Sequence, residues 1–200
     1  MTAETAESAD VRRGQIVDSA IALIAEVGHA RTSLSRIAEK AGVSKAAVLY
    51  HFKNKEELLD QVLDRVLGGL VEQVEAAVRA AGTPADAVGA YIRAMLGHLS
   101  AHPSHIRALT EVIAIAEAAG RSTLRADSSR WRVLANLLAA GQADGRFRAF
   151  DVETTAVVVS GAIDGLVGRW LTEPGFDLLA AAEELEVFVY RAISAAGQQM

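Results

Sequence analysis

An all-α fold of about nine helices is predicted by three features of the sequence. Apolar residues recur at three- and four-residue spacing along almost all of its 200 residues. Prolines are few, only three, and they stand where helices would have to restart. Alanine and leucine supply much of the apolar content and favour helix; the best strand-like run, Val157-Val158-Val159, lies inside helical periodicity and is too short to outweigh it. A chain of this length buries about 70% of its unfolded surface, so it needs no staple to hold a core.

Taken in order, Ile16, Ala20, Leu23, Ile24 and Val27 form the first stripe, ended by Gly28. A shorter stripe of Leu34, Ile37, Ala38 and Ala41 ends at Gly42. Ser44, a good N-cap, opens a third short helix that runs to about Phe52. Asn54 caps a much longer fourth helix; Glu57 stands three residues on, as in a capping box, and Glu56 suits the positive end of the dipole. Its stripe is Leu59, Val62, Leu63, Val66, Leu67, Leu70 and Val74. Thr83-Pro84, with Asp86 in the first turn, starts a fifth helix that should reach about Ala101 and stop before Pro103. A sixth is expected from Ser104 to Gly120 and a seventh from about Ser122 to Gly141. Asp151 caps an eighth that ends before Pro174-Gly175, and Asp177 opens a ninth that frays near Gly197.

The absence of cysteine rules out a disulfide scaffold, a zinc ribbon and a thiol nucleophile. No apolar run approaches the roughly 18 residues of a membrane span. The opening MTAETAESAD is polar and acidic, without the basic start and apolar stretch of a signal peptide, so a cytoplasmic protein with no membrane partner is expected. Net charge is −5, but it is unevenly placed. From Asp10 to Lys55 eight Lys or Arg stand against four Asp or Glu; from Glu56 onward twelve stand against nineteen. A basic head on an acidic body directs the search for a polyanion site to the first quarter. The step falls beside the fourth helix rather than at a flexible linker, which predicts a head, residues 1–55, continuous with a body, residues 56–200.

Within the head, Leu34 to Phe52 reads as helix, tight turn, helix. Gly42 permits the left-handed conformation such a turn needs, and Val43 can plug between the helices. The second helix then projects its first residues outward, as a helix entering the major groove of DNA does while its predecessor crosses the backbone. An αα-corner in an ordinary small bundle has the same spacing, and spacing alone does not choose between them.

The particular residues add to this. Gly28, Thr32-Ser33, Ile37-Ala38, Ala41-Gly42-Val43-Ser44, Leu49-Tyr50-His51-Phe52, Lys55 and Leu58-Leu59 stand in one ordered run, IVDSAIALIAEVGHARTSLSRIAEKAGVSKAAVLYHFKNKEELL. In that run, Ile16 to Leu59, the chain resembles the TetR family of bacterial transcriptional repressors; the remaining helices resemble the family in number and order only. The resemblance implies an N-terminal helix-turn-helix DNA-binding head of three helices on a helical ligand-binding and dimerisation body. It implies that Thr32 and Ser33 cap helix two and Ser44 caps helix three, each offering a hydroxyl and an N–H to a phosphate. Tyr50, His51 and Lys55 match positions that hold the DNA backbone, contacts that fix register and carry no base information. Base reading falls by position to Lys45, Ala46, Ala47 and Leu49. Lys45 can donate to guanine, whereas the alanines, at places where glycine and a hydroxyl residue are common in the family, offer only apolar contact. Part of the specificity is therefore expected from DNA shape and half-site spacing. Arg36 can reach a base or a phosphate, or lie idle on the surface.

Family resemblance also implies a two-fold dimer through the last two helices. Gly161, Gly165 and Gly168 fall four and three apart on one face of helix eight. Mid-helix glycine costs about 1 kcal/mol relative to alanine, so a close helix approach, across a dimer or inside the body, is the expected compensation. Val157, Ala162 and Leu166, with Leu185, Phe188 and Val189 on helix nine, would join that face. A further implication is an effector pocket in the body. Apolar candidates are Leu67, Leu70, Tyr91, Met95 and Leu99, then Leu109, Ile113, Trp131, Leu134 and Leu138; polar candidates are His98, Glu117, Asn136 and Asp164. Each of these is as readily core or surface, and the balance suggests a small, largely apolar ligand with one or two polar anchors.

His98, His102 and His105 share a helical spacing, but Pro103 interrupts it and no carboxylate or cysteine completes a set, so no metal and no cofactor is expected. No G-x-S-x-G elbow, P-loop, dinucleotide fingerprint or H-E-x-x-H occurs, and Glu183, Glu184 and Glu186 read as a solvated face rather than a diiron set. The expected function is a dimeric repressor of a near-palindromic operator, released by an effector. A helical ligand-binding or interaction protein with a DNA-inactive head and, further off, a helical enzyme are the competing classes.

Overall fold

Local capping signals decide where most of the helices begin. The computed structural model describes residues 3–118 and 129–195. Among the described residues it contains α1 (Ala3–Val27), a 3-10 turn (His29–Arg31), α2 (Leu34–Lys40), α3 (Lys45–His51), α4 (Lys55–Ala80), α5 (Pro84–Ala101), α6 (Pro103–Ala118), α7 (Ser129–Ala143), α8 (Val152–Thr172) and α9 (Leu178–Ile193). The cap of α4 is two-sided: Asn54 Oδ1 accepts from the Glu57 N–H at 2.8 Å and the Glu57 carboxylate accepts from the Lys53 N–H at 2.9 Å. Asp151 Oδ1 accepts from the Thr154 N–H at 2.7 Å, and Asp177 Oδ1 accepts from the N–H groups of Leu179 and Ala180 at 3.0 Å. These bonds to its neighbour Thr154 hold the Asp151 carboxyl below the usual carboxylate range.

Some boundaries differ from expectation. The helix α1 reaches back to Ala3, because alanine and glutamate sustain helix even in a polar segment. The last helix ends at Ile193, earlier than Gly197, where Ser194 turns extended and donates its hydroxyl to the Tyr190 carbonyl at 2.7 Å. Val157-Val158-Val159 is helical within α8. The expected end of helix six at Gly120 and start of helix seven at Ser122 lie outside the described residues. No helix among the described residues is long and apolar enough to cross a membrane.

The chain divides into two compact units, one of Met1–Gly69 with His102–Ser122 and one of Leu70–Ala101 with Thr123–Met200. In the first, α1 packs on α2 and on α6, and α2 packs on α3. Ile16, Ala20 and Ile24 of α1, Ile37 of α2, Val48 of α3 and Leu58 and Val62 of α4 are buried there. This unit takes in the first half of α4 and all of α6 besides residues 1–55. His105, in the first turn of α6, stacks on His102 with ring centroids 5.0 Å apart, and its Nδ1 is buried with no hydrogen-bond partner. Burial, and then His102, hold the His105 pKa below its ordinary 6.5; Asp18 opposes the shift and Arg65 adds to it. His98 belongs to the other unit, and no group of three or more His, Asp or Glu able to hold a metal occurs among the described residues.

In the second unit α5 packs against α9, α7 and α8, while α7 and α9 each pack on α8. Tyr91, Ile92, Leu96, Leu134, Leu138, Ala156, Ile163, Leu178, Leu185, Val189 and Ile193 are buried there. The segment after α7 is tied to the end of α9: the Arg148 N–H donates to Ile193 at 2.9 Å and the Ala195 N–H to Arg146 at 3.1 Å, around a bridge between Phe147 and Ser194. At the other end of the α8–α9 hairpin, Arg169 pairs with Glu173 at 2.6 Å and lies over the Phe176 ring at 4.6 Å. Phe147 is seated against Gly141, where a β-carbon would overlap its ring.

Gly141→Ala is therefore expected to destabilise the protein by about 1–3 kcal/mol, read as a lower thermal midpoint, by forcing Phe147 out of its seat. His105 is held neutral in the fold, so the unfolded chain takes up its proton first as pH drops through the ordinary value of 6.5. Stability should fall as pH goes below that value and stop falling once the folded-state pKa is passed. In urea titrations between neutral and acid pH, His105→Gln should lose less stability than wild type.

Candidate nucleic-acid interface

Two helices of seven residues, α2 and α3, form a corner at one side of the first unit. The turn between them is closed by the Ala41 N–H on Ile37 and the Val43 N–H on Ala38, both at 2.9 Å. Gly42 crosses it at φ 66, left-handed backbone that a β-carbon would strain. Ser33 caps α2, its hydroxyl oxygen accepting from the Arg36 N–H at 3.3 Å, and Ser44 caps α3, accepting from the Ala47 N–H at 3.1 Å.

Val48 is the buried residue of α3, with Ala47 and His51 half-buried beside it. The opposite face is open: Lys45, Ala46, Leu49 and Tyr50 are exposed, Leu49 to 44% and Tyr50 to 84%. Those four recur at the spacing that places them on one side of a helix. An aromatic ring left this far in water, next to an exposed leucine and a little over one turn from a lysine, suits a surface that is covered in use.

At the C-terminal end of α3, Phe52 is fully buried. The Arg13 guanidinium lies over its ring at 4.6 Å from the centroid and donates to the His51 carbonyl at 3.4 Å. Sequence reading missed Arg13; a basic residue some forty positions upstream carries no local sign of capping another helix. The Tyr50 and His51 rings meet edge to face at 5.2 Å.

Two other residues, Thr32 and Lys55, sit differently from what the family resemblance implied, while Arg36 lies on the surface, one of the positions left open for it. Thr32 is only 3% exposed and its hydroxyl donates to the Gly28 carbonyl at 2.9 Å, so the side chain faces inward. Lys55 is half-buried, and its ammonium donates to the carbonyls of Thr32 at 2.6 Å and His29 at 3.1 Å. Burial lowers its pKa from the ordinary lysine value. Arg36 is exposed with its guanidinium on the Arg31 carbonyl at 2.7 Å.

The candidate effector residues are spread over both units. Leu67, Leu109 and Ile113 belong to the first; Leu70, Tyr91, Met95, His98, Leu99, Trp131, Leu134, Asn136, Leu138 and Asp164 belong to the second. Tyr91, His98, Leu99, Leu109, Leu134 and Leu138 are buried, whereas Asn136 and Asp164 are on the surface. His98 Nδ1 lies 2.7 Å from Gln73 Oε1. The side chain of Glu117 lies outside the described residues. Trp131 lines a cleft of about 500 Å³ with Arg132, Ala135, Glu153, Thr154, Val157 and Val158. On α8, Val157, Gly161, Gly165 and Gly168 are exposed, and a β-carbon at any of the three glycines would meet open space. Ala162 and Leu166 are half-buried, Phe188 of α9 is 67% exposed, and Leu185 and Val189 are used inside the chain's own core.

A helix-turn-helix corner held on a longer helix, with its second helix presenting an open face, defines a DNA-binding transcriptional regulator. Comparisons with known proteins agree. Residues 16–62 match the family described as bacterial regulatory proteins, tetR family. Over 200 residues the chain is 31% identical to a Pseudomonas putida protein described as "Probable HTH-type transcriptional regulator ArpR" and covers 92% of each. It is 30% identical over 200 residues to the HTH-type transcriptional regulator TtgR, also of Pseudomonas putida, again covering 92% of each. The solved SmeT–triclosan complex has the same fold, with a TM-score of 0.73 at 23% identity over 94% of this chain and 93% of that one. The chain belongs to the TetR family of bacterial regulatory proteins.

The cap of α3 offers a local check. Ser44→Ala should cost about 1 kcal/mol of stability, and Ser44→Gly only a few tenths, in chemical denaturation.

Proposed function

We propose that this regulator is a ligand-responsive repressor that binds a near-palindromic duplex operator as a homodimer in the cytoplasm, without catalytic activity, and leaves it when a small, largely apolar effector binds the body. The observation that carries the reading is the open face of α3, where Lys45, Ala46, Leu49 and Tyr50 are exposed together while Val48 anchors the helix. Lys45 is the residue suited to donate to guanine, the small Ala46 and Leu49 suit thymine methyls, and Tyr50 suits the backbone. With one polar reader, DNA shape and half-site spacing carry the rest of the specificity.

Support for the dimer is the outer face of α8 and α9. Val157, three open glycines and Phe188 leave an apolar strip uncovered within the chain, and a second copy placed on it would supply the close helix approach that otherwise costly glycines allow. Support for an effector is a body with buried apolar residues and few polar anchors such as His98, together with the small molecule held by the SmeT chain of the same fold. The effector acts by population shift: it favours arrangements of the dimer in which the two α3 helices no longer match successive half-sites. About 1–3 kcal/mol of coupling suffices, a 5–150-fold change in operator affinity.

Selection of bound fragments from random duplex DNA, followed by binding against salt, tests this. Wild type should enrich a near-palindrome and bind it less tightly as salt rises. Lys45→Ala should lose about 1–3 kcal/mol and relax specificity at one base per half-site, while Tyr50→Phe should weaken all sequences alike. If no motif is enriched, or both variants bind as wild type does, the α3 reading falls and a ligand-binding protein with a DNA-inactive head takes its place.

A further inference from the structure

Lys55 and Glu111 reach the backbone of one residue, His29, from two elements of the first unit, on the two peptide groups that flank it. The Lys55 ammonium, in the first turn of α4, donates to the His29 carbonyl at 3.1 Å and the Thr32 carbonyl at 2.6 Å. The Glu111 carboxylate, in α6, accepts from the His29 N–H at 3.0 Å. Between these two charges lies the 3-10 turn, which leads through Thr32 directly into Ser33, the cap of α2. A single 3-10 turn holds its own shape poorly. Its internal ties are the Thr32 N–H on His29 at 3.0 Å, the Thr32 hydroxyl on Gly28 and the Arg31 guanidinium on Val27 at 2.8 Å. Charge-assisted bonds are the stronger kind, and the two on the His29 backbone come from outside the turn.

We propose that Lys55 and Glu111 are positioning residues that clamp the backbone of His29 from its carbonyl and its N–H, and thereby fix where α2 begins and how α3 is aimed, Lys55 acting on operator binding through this clamp and not as a phosphate ligand. The proposal rests on the DNA-binding reading given above. Lys55 spends its ammonium on two carbonyls and is half-buried, whereas a phosphate ligand needs an ammonium turned to the surface. For Glu111 the sign of the effect is informative. Removing an acid from a unit that meets a polyanion should, by charge alone, tighten binding; loosening the clamp weakens it.

The experiment compares full-length wild type, Lys55→Met, Glu111→Ala and Glu111→Gln on the selected duplex across a salt series, with amide exchange at His29 measured on the free proteins. Lys55→Met and Glu111→Ala should each bind about 10-fold more weakly at every salt concentration, on lines parallel to wild type. Glu111→Gln, whose amide oxygen still accepts from the His29 N–H, should bind within about 3-fold of wild type. The His29 amide should exchange faster in Glu111→Ala and at nearly the wild-type rate in Glu111→Gln. A Lys55→Met line shallower by about one counterion per half-site shows a phosphate contact and overturns the proposal. So does a Glu111→Ala protein that binds as tightly as wild type. If wild type selects no duplex, the DNA reading fails by itself, and the exchange measurement still decides the clamp: faster exchange in Glu111→Ala upholds it, an unchanged rate overturns it.

Discussion

A helix of seven residues does not hold itself in water, because the cost of nucleating it is never recovered over so few hydrogen bonds. Both α2 and α3 are of that length, and the rest of the first unit is arranged around the constraint. Ile37 and Ala38 of α2 and Val48 of α3 are buried, so each short helix is held by one face. The remaining face is therefore free, and in α3 it is the face that carries Lys45, Leu49 and Tyr50. Packing supplies the stability, while caps and the glycine turn supply the aim. A longer and more self-sufficient helix would not need Phe52 under its end or Arg13 on its last carbonyl.

What was legible in the sequence was what acts within a few residues. Ser33, Ser44, Asn54, Asp151 and Asp177 each cap the helix that follows, and each bond spans two or three positions. Gly42 is similar, since a left-handed turn between two short stripes shows in the spacing alone. The family run from Ile16 to Leu59 was legible because its marks are dense and ordered. Partners far along the chain were not. Glu111 meets His29 across 82 positions and Arg13 meets His51 across 38, and neither Glu111 nor Arg13 belongs to a pattern that announces a partner. Lys55 shows the limit most clearly. A position in a family pattern identified the residue, but only the fold shows that its ammonium is already committed.

The second unit follows a different economy. Its helices are long, and its core is built from Tyr91, Leu96, Leu134, Leu138, Ile163 and their neighbours, so little of it depends on single polar ties. Helical periodicity therefore predicted its elements, but periodicity cannot tell a residue that lines a cavity from one that fills the core. Nor can it tell which side of a two-sided helix is covered by the chain itself. Leu185 and Val189 lie on the inner side of α9, and Phe188, between them in sequence, lies on the outer; a step of one residue turns a side chain through about 100°.

The α8–α9 hairpin is fastened at both ends, by the Arg169–Glu173–Phe176 cluster at its bend and by the bridge of Phe147 with Ser194 at its open end. These ties shape the bend and the open end of the hairpin, while its two helices are held by packing, with Ile163, Val167, Leu185 and Val189 buried. The hairpin is thus a pre-organised platform, ordered before anything meets it. Association normally costs side-chain and loop ordering at the contact, and a platform of this kind has met most of that cost during folding. The outer surface of α8 and α9 is then ordered largely by the fold itself.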